Sequence, residues 1–255
     1  MSTATINTVD TRAARARMLG RLRASAPEAA SPVDSLDKRI DAHYAQHRAQ
    51  AGDTLAPQTA RVVQFQRMLE AAHAEVVCAS AAAWPTELAQ RLAAAGVKRL
   101  LLDTSNMEGA ALADALRAAA TGIEARGYTE PIEAWKSELF DNIDAGFTVA
   151  RSGLASTGTL IVAPDAGSPR TMSLVPPLHI ALVYAHSLHA DLHAAMRAEH
   201  WQAGMPTNLV MISGPSKTSD IQQTLAYGAH GPRELWVVIV EHQTDTAVAT
   251  DGDAA

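Results

Sequence analysis

Residues 75–102 read EVVCASAAAWPTELAQRLAAAGVKRLLL, and this stretch decides the fold class. An apolar run at 76–79 is followed by a helical pattern at 85–95, which Gly96 ends, and then by a second apolar run at 98–102. A strand, a helix and a strand joined by short connections form a right-handed crossover, which places the two strands parallel in one sheet. The sequence therefore predicts an α/β fold with a mostly parallel sheet.

The same alternation continues along the chain after this stretch. Further helices are predicted at 108–120 and 187–201, and further strands at 143–149 and 178–184. Because apolar periodicity persists over most of the chain, one large domain is expected rather than a disordered protein.

Composition and the positions of Pro and Gly divide the chain into three parts. Residues 1–56 carry polar, arginine-rich helical patterns that Pro and Gly interrupt, which predicts an N-terminal helical arm. Residues 57–242 carry the α/β pattern, and residues 243–255 are predicted to be a disordered tail.

The composition excludes several classes of protein. Lys and Arg number 21 against 27 Asp and Glu, a net charge of −6, and no basic tract suggests nucleic acid or a membrane surface as a partner. No apolar run reaches the length of a membrane span and no signal peptide opens the chain, so a soluble, cytoplasmic protein is expected. The single cysteine, Cys78, is predicted to be a small buried side chain and cannot hold an iron–sulfur cluster alone. No cofactor is predicted.

A second stretch, SGPSKTSDIQQTLAYGAHGP at 213–232, is the main candidate for binding chemistry. It follows an apolar run at 209–212, and its capping-box pattern predicts a helix from Ser219 to Gly228. The unpaired N–H groups at the start of such a helix favour an anion. The stretch is therefore either a binding loop for a carboxylate or phosphate or an ordinary capped loop. It does not match a nucleotide-binding P-loop.

A second segment rich in glycine and hydroxyl groups lies at 153–159. If both segments lie at the carboxyl edge of the parallel sheet, they line one pocket, and Arg170 and Lys217 are the cations that would neutralise an anion there. The alternative for Arg170 is a surface ion pair with Asp165. The predicted ligand-binding residues are Thr157, Gly158, Thr159, Arg170, Ser213, Gly214, Ser216, Lys217 and Thr218.

Four histidines, at positions 186, 189, 193 and 200, are spaced as on one face of a helix. No glutamate lies between them as in a zinc-protease motif, and the neighbouring leucines mark a different stripe as the buried one. A solvated face is therefore favoured, and no metal site is predicted.

Two further histidines have different predicted roles. His230 lies close to the 213–219 segment and is the candidate acid–base residue, and its alternative role is a hydrogen bond that orders the loop. His179 lies in a predicted strand and is expected to be a core histidine with its hydrogen bonds satisfied. No nucleophile–base pair can be assigned, so the sequence does not decide whether the chain is an enzyme.

Several motifs in order along the chain resemble those of LUD-domain proteins, in particular the lactate utilization protein C family. The resemblance is carried by Ala145-Gly-Phe-Thr, Ala155-Ser-Thr-Gly-Thr-Leu, Arg170, Leu174-Val-Pro-Pro-Leu-His-Ile, Ser213-Gly-Pro-Ser-Lys-Thr-Ser-Asp-Ile and Gly228-Ala-His-Gly-Pro. Two positions depart from the family pattern: Gln222 replaces an acidic residue, and Ser156 replaces a glutamate.

The resemblance implies a three-layer α/β/α fold similar to ribose-5-phosphate isomerase, glucosamine-6-phosphate deaminase and CoA transferases. It also implies a role in oxidising L-lactate to pyruvate beside partner proteins that carry iron–sulfur clusters. Two hypotheses follow. The chain is a cluster-free component of that system that binds a small anion, or it is a stand-alone isomerase-, ligase- or transferase-like enzyme acting on a small phosphorylated or carboxylated metabolite. The single cysteine favours the first.

Overall fold

The computed structural model describes residues 12–25, 32–50, 57–219 and 225–241, and the chain divides into two units between Gly52 and Asp53. In the first unit, neither helix buries a side chain; they are α1 (Arg12–Ala24) and α2 (Val33–Gln50). Every helix within the described ranges is too short or too polar to span a bilayer. The predicted tail at 243–255 lies outside the described residues.

The second unit contains the other elements. Its helices are α3 (Gln58–Ala71), α4 (Trp84–Ala94), α5 (Met107–Ala118), α6 (Ile132–Asp141), α7 (Thr171–Leu174) and α8 (Leu192–Ala198). Its strands are β1 (Glu75–Ser80), β2 (Arg99–Leu101), β3 (Glu124–Arg126), β4 (Ala145–Val149), β5 (Ser152–Leu154), β6 (Thr159–Val162), β7 (Leu178–Tyr184), β8 (Leu188–His189), β9 (Val210–Ile212), β10 (Lys217–Ser219), β11 (Leu225–Tyr227) and β12 (Glu234–Glu241).

A six-stranded parallel sheet forms the centre of this unit, with the strand order β1-β12-β7-β4-β2-β3. Helix α4 connects β1 to β2 and helix α5 connects β2 to β3, as the strand–helix alternation requires. The predicted α/β fold with a mostly parallel sheet is therefore confirmed.

Both faces of this sheet are covered, because its central strands are apolar on both sides. On β12, Trp236, Val238 and Val240 pack with α4 and α5, where the rings of Trp84 and Phe147 stack with centroids 5.9 Å apart. The alternate residues of β12 face a separate cluster, to which α3 and strand β6 contribute the side chains Phe65, Leu69 and Leu160. The covering layer on this second face thus combines a helix with a small sheet.

That small sheet has the order β8-β5-β6-β9, with antiparallel pairing from β5 through β6 to β9. The register places Leu160 opposite Ile212. Segment 153–159 runs from β5 to the start of β6, and segment 213–219 runs from the turn after β9 into β10, which pairs with β11 in a separate hairpin. Both segments thus lie in elements outside the six-stranded parallel sheet.

The predicted helix from Ser219 to Gly228 is also wrong. Strands β10 and β11 form an antiparallel hairpin in which Thr218 lies opposite Ala226, and residues 220–224 of the predicted helix lie outside the described part of the chain. The Gly228 N–H donates to the Ser216 carbonyl at 2.9 Å. Pairing between the two arms of the hairpin thus satisfies backbone groups that the capping pattern alone would have assigned to a helix.

The four histidines do not share a helical face. His186 lies in a 3-10 helix at Ala185–Ser187, His189 lies in β8, and only His193 lies in α8. Helix α8 begins at Leu192, later than the helix predicted at 187–201, because Asp191 caps it. The Asp191 side chain accepts the Ala194 N–H at 2.8 Å. Among the described residues, no group of three or more metal-binding side chains could hold an ion.

Cys78 is exposed rather than buried, because β1 is an edge strand of the parallel sheet. Its Sγ donates to Gln66 Oε1 at 3.7 Å. Partial burial and the carboxylates of Glu241 and Glu70 raise the pKa of the thiol. The thiol is therefore protonated at neutral pH and is a poor nucleophile.

Candidate functional site

A cavity of about 200 Å³ lies beside the amino-terminal ends of β7 and β12. The turn after β9, the turn before β12 and helix α7 enclose it. Its lining residues are Ser173, Leu174, His179, Val210, Met211, Ile212, Ser213, Gly214, Pro215, Ser216, His230, Gly231, Pro232 and Leu235. A cavity of about 150 Å³ holds benzene, so this one has room for a molecule of about six non-hydrogen atoms.

Hydroxyl groups connect the two predicted binding segments, leading from Ser213, which lines the cavity, to Thr159 and Thr157, which lie outside its lining. Thr159 Oγ1 lies 2.7 Å from Ser213 Oγ, and Thr157 Oγ1 lies 2.7 Å from Thr159 Oγ1. The bond between Thr159 and Ser213 joins β6 to the turn after β9, and the neighbouring register pair holds both in place. The predicted segments at 153–159 and 213–219 therefore touch where Thr159, at the end of the first, meets Ser213, at the start of the second.

The turn after β9 offers fewer backbone donors than an anion-binding helix start would. The Ser216 N–H donates to the Pro232 carbonyl at 2.8 Å, Pro215 has no N–H, and no helix follows. Recognition of an anion here must therefore rely on the hydroxyls of Ser213 and Ser216 and on nearby cations, and not on a helix dipole.

The two predicted cations lie outside the cavity lining. Lys217 is exposed at the start of β10, and Arg170 is exposed immediately before α7. Arg170 is tied to the cavity wall through its backbone, because Ser173 Oγ donates to the Arg170 carbonyl at 3.1 Å. Asp165 accepts the Ser168 N–H at 2.7 Å, and within the described ranges it forms no ion pair with Arg170.

Gly158 has a structural reason to be glycine. Its φ is +61°, and a Cβ there would lie 2.7 Å from Met68 Cβ and 2.8 Å from the Leu69 nitrogen. The turn between β5 and β6 therefore packs directly against the backbone of α3. This close approach accounts for the glycine without a ligand.

His179 has a buried ring nitrogen without a hydrogen-bond partner among the described residues, which the sequence did not indicate. It lies in a strand and is 1% exposed, as predicted for a core histidine. Its Nε2 lies 2.8 Å from Thr148 Oγ1, but its Nδ1 has no hydrogen-bond partner in the described part of the chain. The expectation of a fully satisfied histidine is therefore wrong. An unpaired buried group of this kind costs about 1–3 kcal/mol.

Burial lowers the pKa of His179 to about 3, so the ring is neutral at physiological pH. A neutral ring has one nitrogen that donates and one that accepts. The cavity lining then contains no charged side chain at its buried end, where His179 and Leu235 lie. His230, by contrast, is exposed at the opening, where it retains its place as the candidate acid–base residue.

A second polar cluster, away from the cavity, is structural. Glu199 accepts hydrogen bonds from Ser152, from Trp201 at 3.1 Å and from Arg151, with which it also forms an ion pair. Burial would raise the pKa of Glu199, but these hydrogen bonds and the Arg151 charge lower it. Because the carboxylate is satisfied from several sides, it fastens the end of α8 to β5 and is not available for a ligand.

Comparisons with known proteins agree on the family to which this chain is similar. The family model described as the LUD domain matches residues 62–240. An uncharacterized protein of Neisseria meningitidis serogroup B is 37% identical over 213 residues, which cover 82% of this chain and 88% of that protein. Lactate utilization protein C of Halalkalibacterium halodurans is 31% identical over 123 residues, 44% of this chain and 54% of that protein. Lactate utilization protein C of Shouchella clausii is 33% identical over 101 residues, 38% of this chain and 44% of that protein.

The match thus spans about half the length of these two curated relatives, or less. Among solved structures, the crystal structure of a DUF162 family protein from Deinococcus radiodurans is similar to this chain with a TM-score of 0.51 and 23% identity. The similarity covers 72% of this chain and 98% of that chain, and it supports the fold.

Proposed function

This chain belongs to the LUD domain family, as its motifs indicated, and from that premise we propose that it is a component of a lactate utilization system that binds a small carboxylate in the cavity beside Ser213. The convergence of the 153–159 and 213–216 segments through the Thr159–Ser213 hydrogen bond carries this proposal. The names of the lactate utilization protein C relatives supply the choice of carboxylate.

The chemistry of the cavity favours a carboxylate over a phosphate. Ser213 and Ser216 offer hydroxyl donors, and Lys217 follows them in the chain as an exposed cation. A phosphate dianion would need more positive charge than the lining provides, since the lining contains neither Lys nor Arg. The low positive charge of the lining therefore supports the lactate hypothesis over an enzyme acting on a phosphorylated metabolite.

The redox centres of such a system would belong to other proteins. Iron–sulfur clusters are held by several thiolates, and this chain has the single cysteine Cys78, whose thiol is protonated. We therefore expect partner proteins that carry the clusters. A pull-down with the full chain under reducing, anaerobic conditions would recover them, and recovery of no cluster-bearing protein would argue against a shared complex.

Substitution of the two exposed cations tests the anion site. Lys217→Ala and Arg170→Ala are each expected to weaken binding of L-lactate or pyruvate by roughly 3- to 10-fold, because each removes a positive charge near the cavity that attracts the carboxylate. The melting temperature without ligand should be unchanged, since both side chains are exposed. Isothermal titration calorimetry gives the dissociation constants.

Lys136→Ala, on the exposed side of α6, is the matched control. It removes the same charge at a distance from the cavity lining and should leave the affinity unchanged. An equal loss in all three variants would show that only the net charge of the protein matters, and the specific site would be rejected.

A further inference from the structure

The outer edge of β1 is an open edge of the parallel sheet. All six residues of β1 pair with β12 on one side, and within the described residues no strand pairs with the other side. Cys78, near the middle of the strand, is exposed there. The backbone N–H and C=O groups along such an edge can form hydrogen bonds with a strand of another chain.

The opposite edge of the same sheet, β3, is protected by its length and its charges. It has only three residues, of which Glu124 forms an ion pair with Arg99, and Arg126 forms one with Glu138. Short edge strands with charged side chains hinder pairing with another chain. β1 has six residues, and its segment 76–80 carries no charge, so this protection is absent from β1.

An apolar groove of about 140 Å³ lies beside β1 on the α4 side of the sheet. Val77 and Ala79 of β1 and Val238 of β12 line it together with Trp84 and Leu88 of α4. Val77 is partly exposed, whereas the other four side chains are buried. A strand added beside β1 has every second side chain on the α4 side, where it meets the groove.

We propose that the edge of β1 is a dimer interface, in which β1 pairs antiparallel with β1 of a second copy of this chain. A two-fold axis then relates the two copies, and their sheets join into one continuous sheet. This inference does not rest on the proposed function, because no residue of β1 lines the cavity beside Ser213.

The side chains of β1 fix the register of this pairing. Residues directly opposite each other in an antiparallel pair lie on the same face of the sheet, so the axis passes through a residue of β1. With the axis at Cys78, Val77 lies opposite Ala79 of the second copy and covers its groove. With the axis at Val77, the carboxylate of Glu75 would lie there instead, and the apolar groove favours the first register.

The charges of α4 fit the same axis and favour a second copy as the occupant. Arg91 pairs with Glu75 at the start of β1, and the exposed Glu87 lies one helical turn earlier in α4. Because α4 returns the chain from the end of β1 to the start of β2, it runs antiparallel to β1, and Glu87 lies toward the end of β1. Rotation about Cys78 exchanges the two ends of β1, so Glu87 of each copy faces Arg91 of the other.

The mass of the full chain in solution is the first test. Sedimentation equilibrium in the presence of a reducing agent should give twice the 26.9 kDa of one chain. Cys78→Lys places two ammonium groups at the axis and should weaken the dimer at least about tenfold, because like charges directly opposite each other repel. Cys78→Ser is the matched control and should keep the dimer, since the exposed side chain stays small and uncharged.

A charge exchange on α4 distinguishes this interface from any other. Glu87→Arg and Arg91→Glu each place like charges at both contacts and should each weaken self-association at least about tenfold. An equimolar mixture of the two variants has opposite charges at both contacts and should recover the dimer. Arg91 also contacts Glu75 and Trp236 within its own copy, so Glu87→Arg, at an exposed position, is the decisive single variant.

Oxidative crosslinking tests the register directly. Opposite residues in an antiparallel pair have Cα atoms about 4.5–5.5 Å apart, which is within the range that a disulfide spans. Copper–phenanthroline should therefore join Cys78 of two copies in the unmutated protein. The reaction should be at least about tenfold slower in Glu87→Arg, which keeps the same thiol but forms less dimer.

Each outcome decides a stated part of the proposal. An unmutated chain that stays monomeric at every concentration up to its solubility limit overturns the interface. A dimer that persists in Cys78→Lys and in Glu87→Arg lies on another surface and also overturns it. A dimer that these variants weaken, but whose thiols do not crosslink, overturns the register at Cys78.

Discussion

Replacing Gly158 with alanine is expected to lower the free energy of unfolding by about 2–5 kcal/mol. Two effects add. The φ of +61° is unfavourable for a residue with a Cβ, and that Cβ would lie 2.7–2.8 Å from Met68 and from the backbone nitrogen of Leu69. Because α3 would have to move away from the turn, the position of Thr159 beside Ser213 should be disturbed as well.

Gly96→Ala is the matched control for this change. Gly96 has a similar φ of +74°, but no atom lies within 4 Å of the position that its Cβ would take. Gly96→Ala should therefore lower the free energy of unfolding only by the conformational cost of a positive φ, about 1–2 kcal/mol. Urea unfolding of both variants gives the difference. Equal losses would show that the close packing of Gly158 against α3 does not stabilise the fold.

Acidification is expected to destabilise the protein through His179. The folded pKa is about 3, below the ordinary value of 6.5, because burial disfavours the charged ring. Between these two values the unfolded state binds more protons than the folded state, so stability falls as the pH is lowered from 6.5 toward 3. Between pH 6.5 and pH 5 this group should lower the free energy of unfolding by about 1–2 kcal/mol.

His179→Gln isolates this contribution, because glutamine does not titrate. Denaturant unfolding at several pH values should give a flatter dependence for the variant than for the unmutated chain. Measurements should stay above pH 5, since the lowered pKa of Glu199 adds its own loss of stability at pH values below its ordinary 4.5. Parallel curves for the two proteins would contradict a neutral, buried His179.

The central sheet could be predicted because its signals are local. The helix predicted at 85–95 corresponds to α4 at Trp84–Ala94, and the helix predicted at 108–120 corresponds to α5 at Met107–Ala118. Each is amphipathic and lies between short apolar strands, so pattern and tertiary packing agree. The crossover rule then fixes the strands as parallel without further information.

The errors occurred where distant residues decide the structure. The capping pattern at Ser219 favoured a helix, but pairing between Thr218 and Ala226 and the bond from Gly228 to Ser216 stabilise a hairpin. In the same way, the spacing of the four histidines suggested one helix, whereas Asp191 starts α8 only after β8 has ended. The local sequence pattern does not show which distant residues pair with each other.

The candidate site was predictable in part. A shared pocket for the 153–159 and 213–219 segments was predicted on the condition that both lie at one sheet edge, but the actual contact between Thr159 and Ser213 depends on the pairing of β6 with β9 in a second sheet, which the sequence does not show. The cavity lies beside the amino-terminal ends of β7 and β12, opposite to the edge expected for a parallel sheet. His179 was predicted to be buried, but its unpaired Nδ1 could not be predicted because that is a property of the folded surroundings.

A structure of the full chain with L-lactate or pyruvate at saturating concentration tests the central claim most directly. The ligand should occupy the cavity, with its carboxylate about 3 Å from the hydroxyl oxygens of Ser213 and Ser216. A ligand bound elsewhere, or a cavity that stays free of ligand at saturation, would contradict the account.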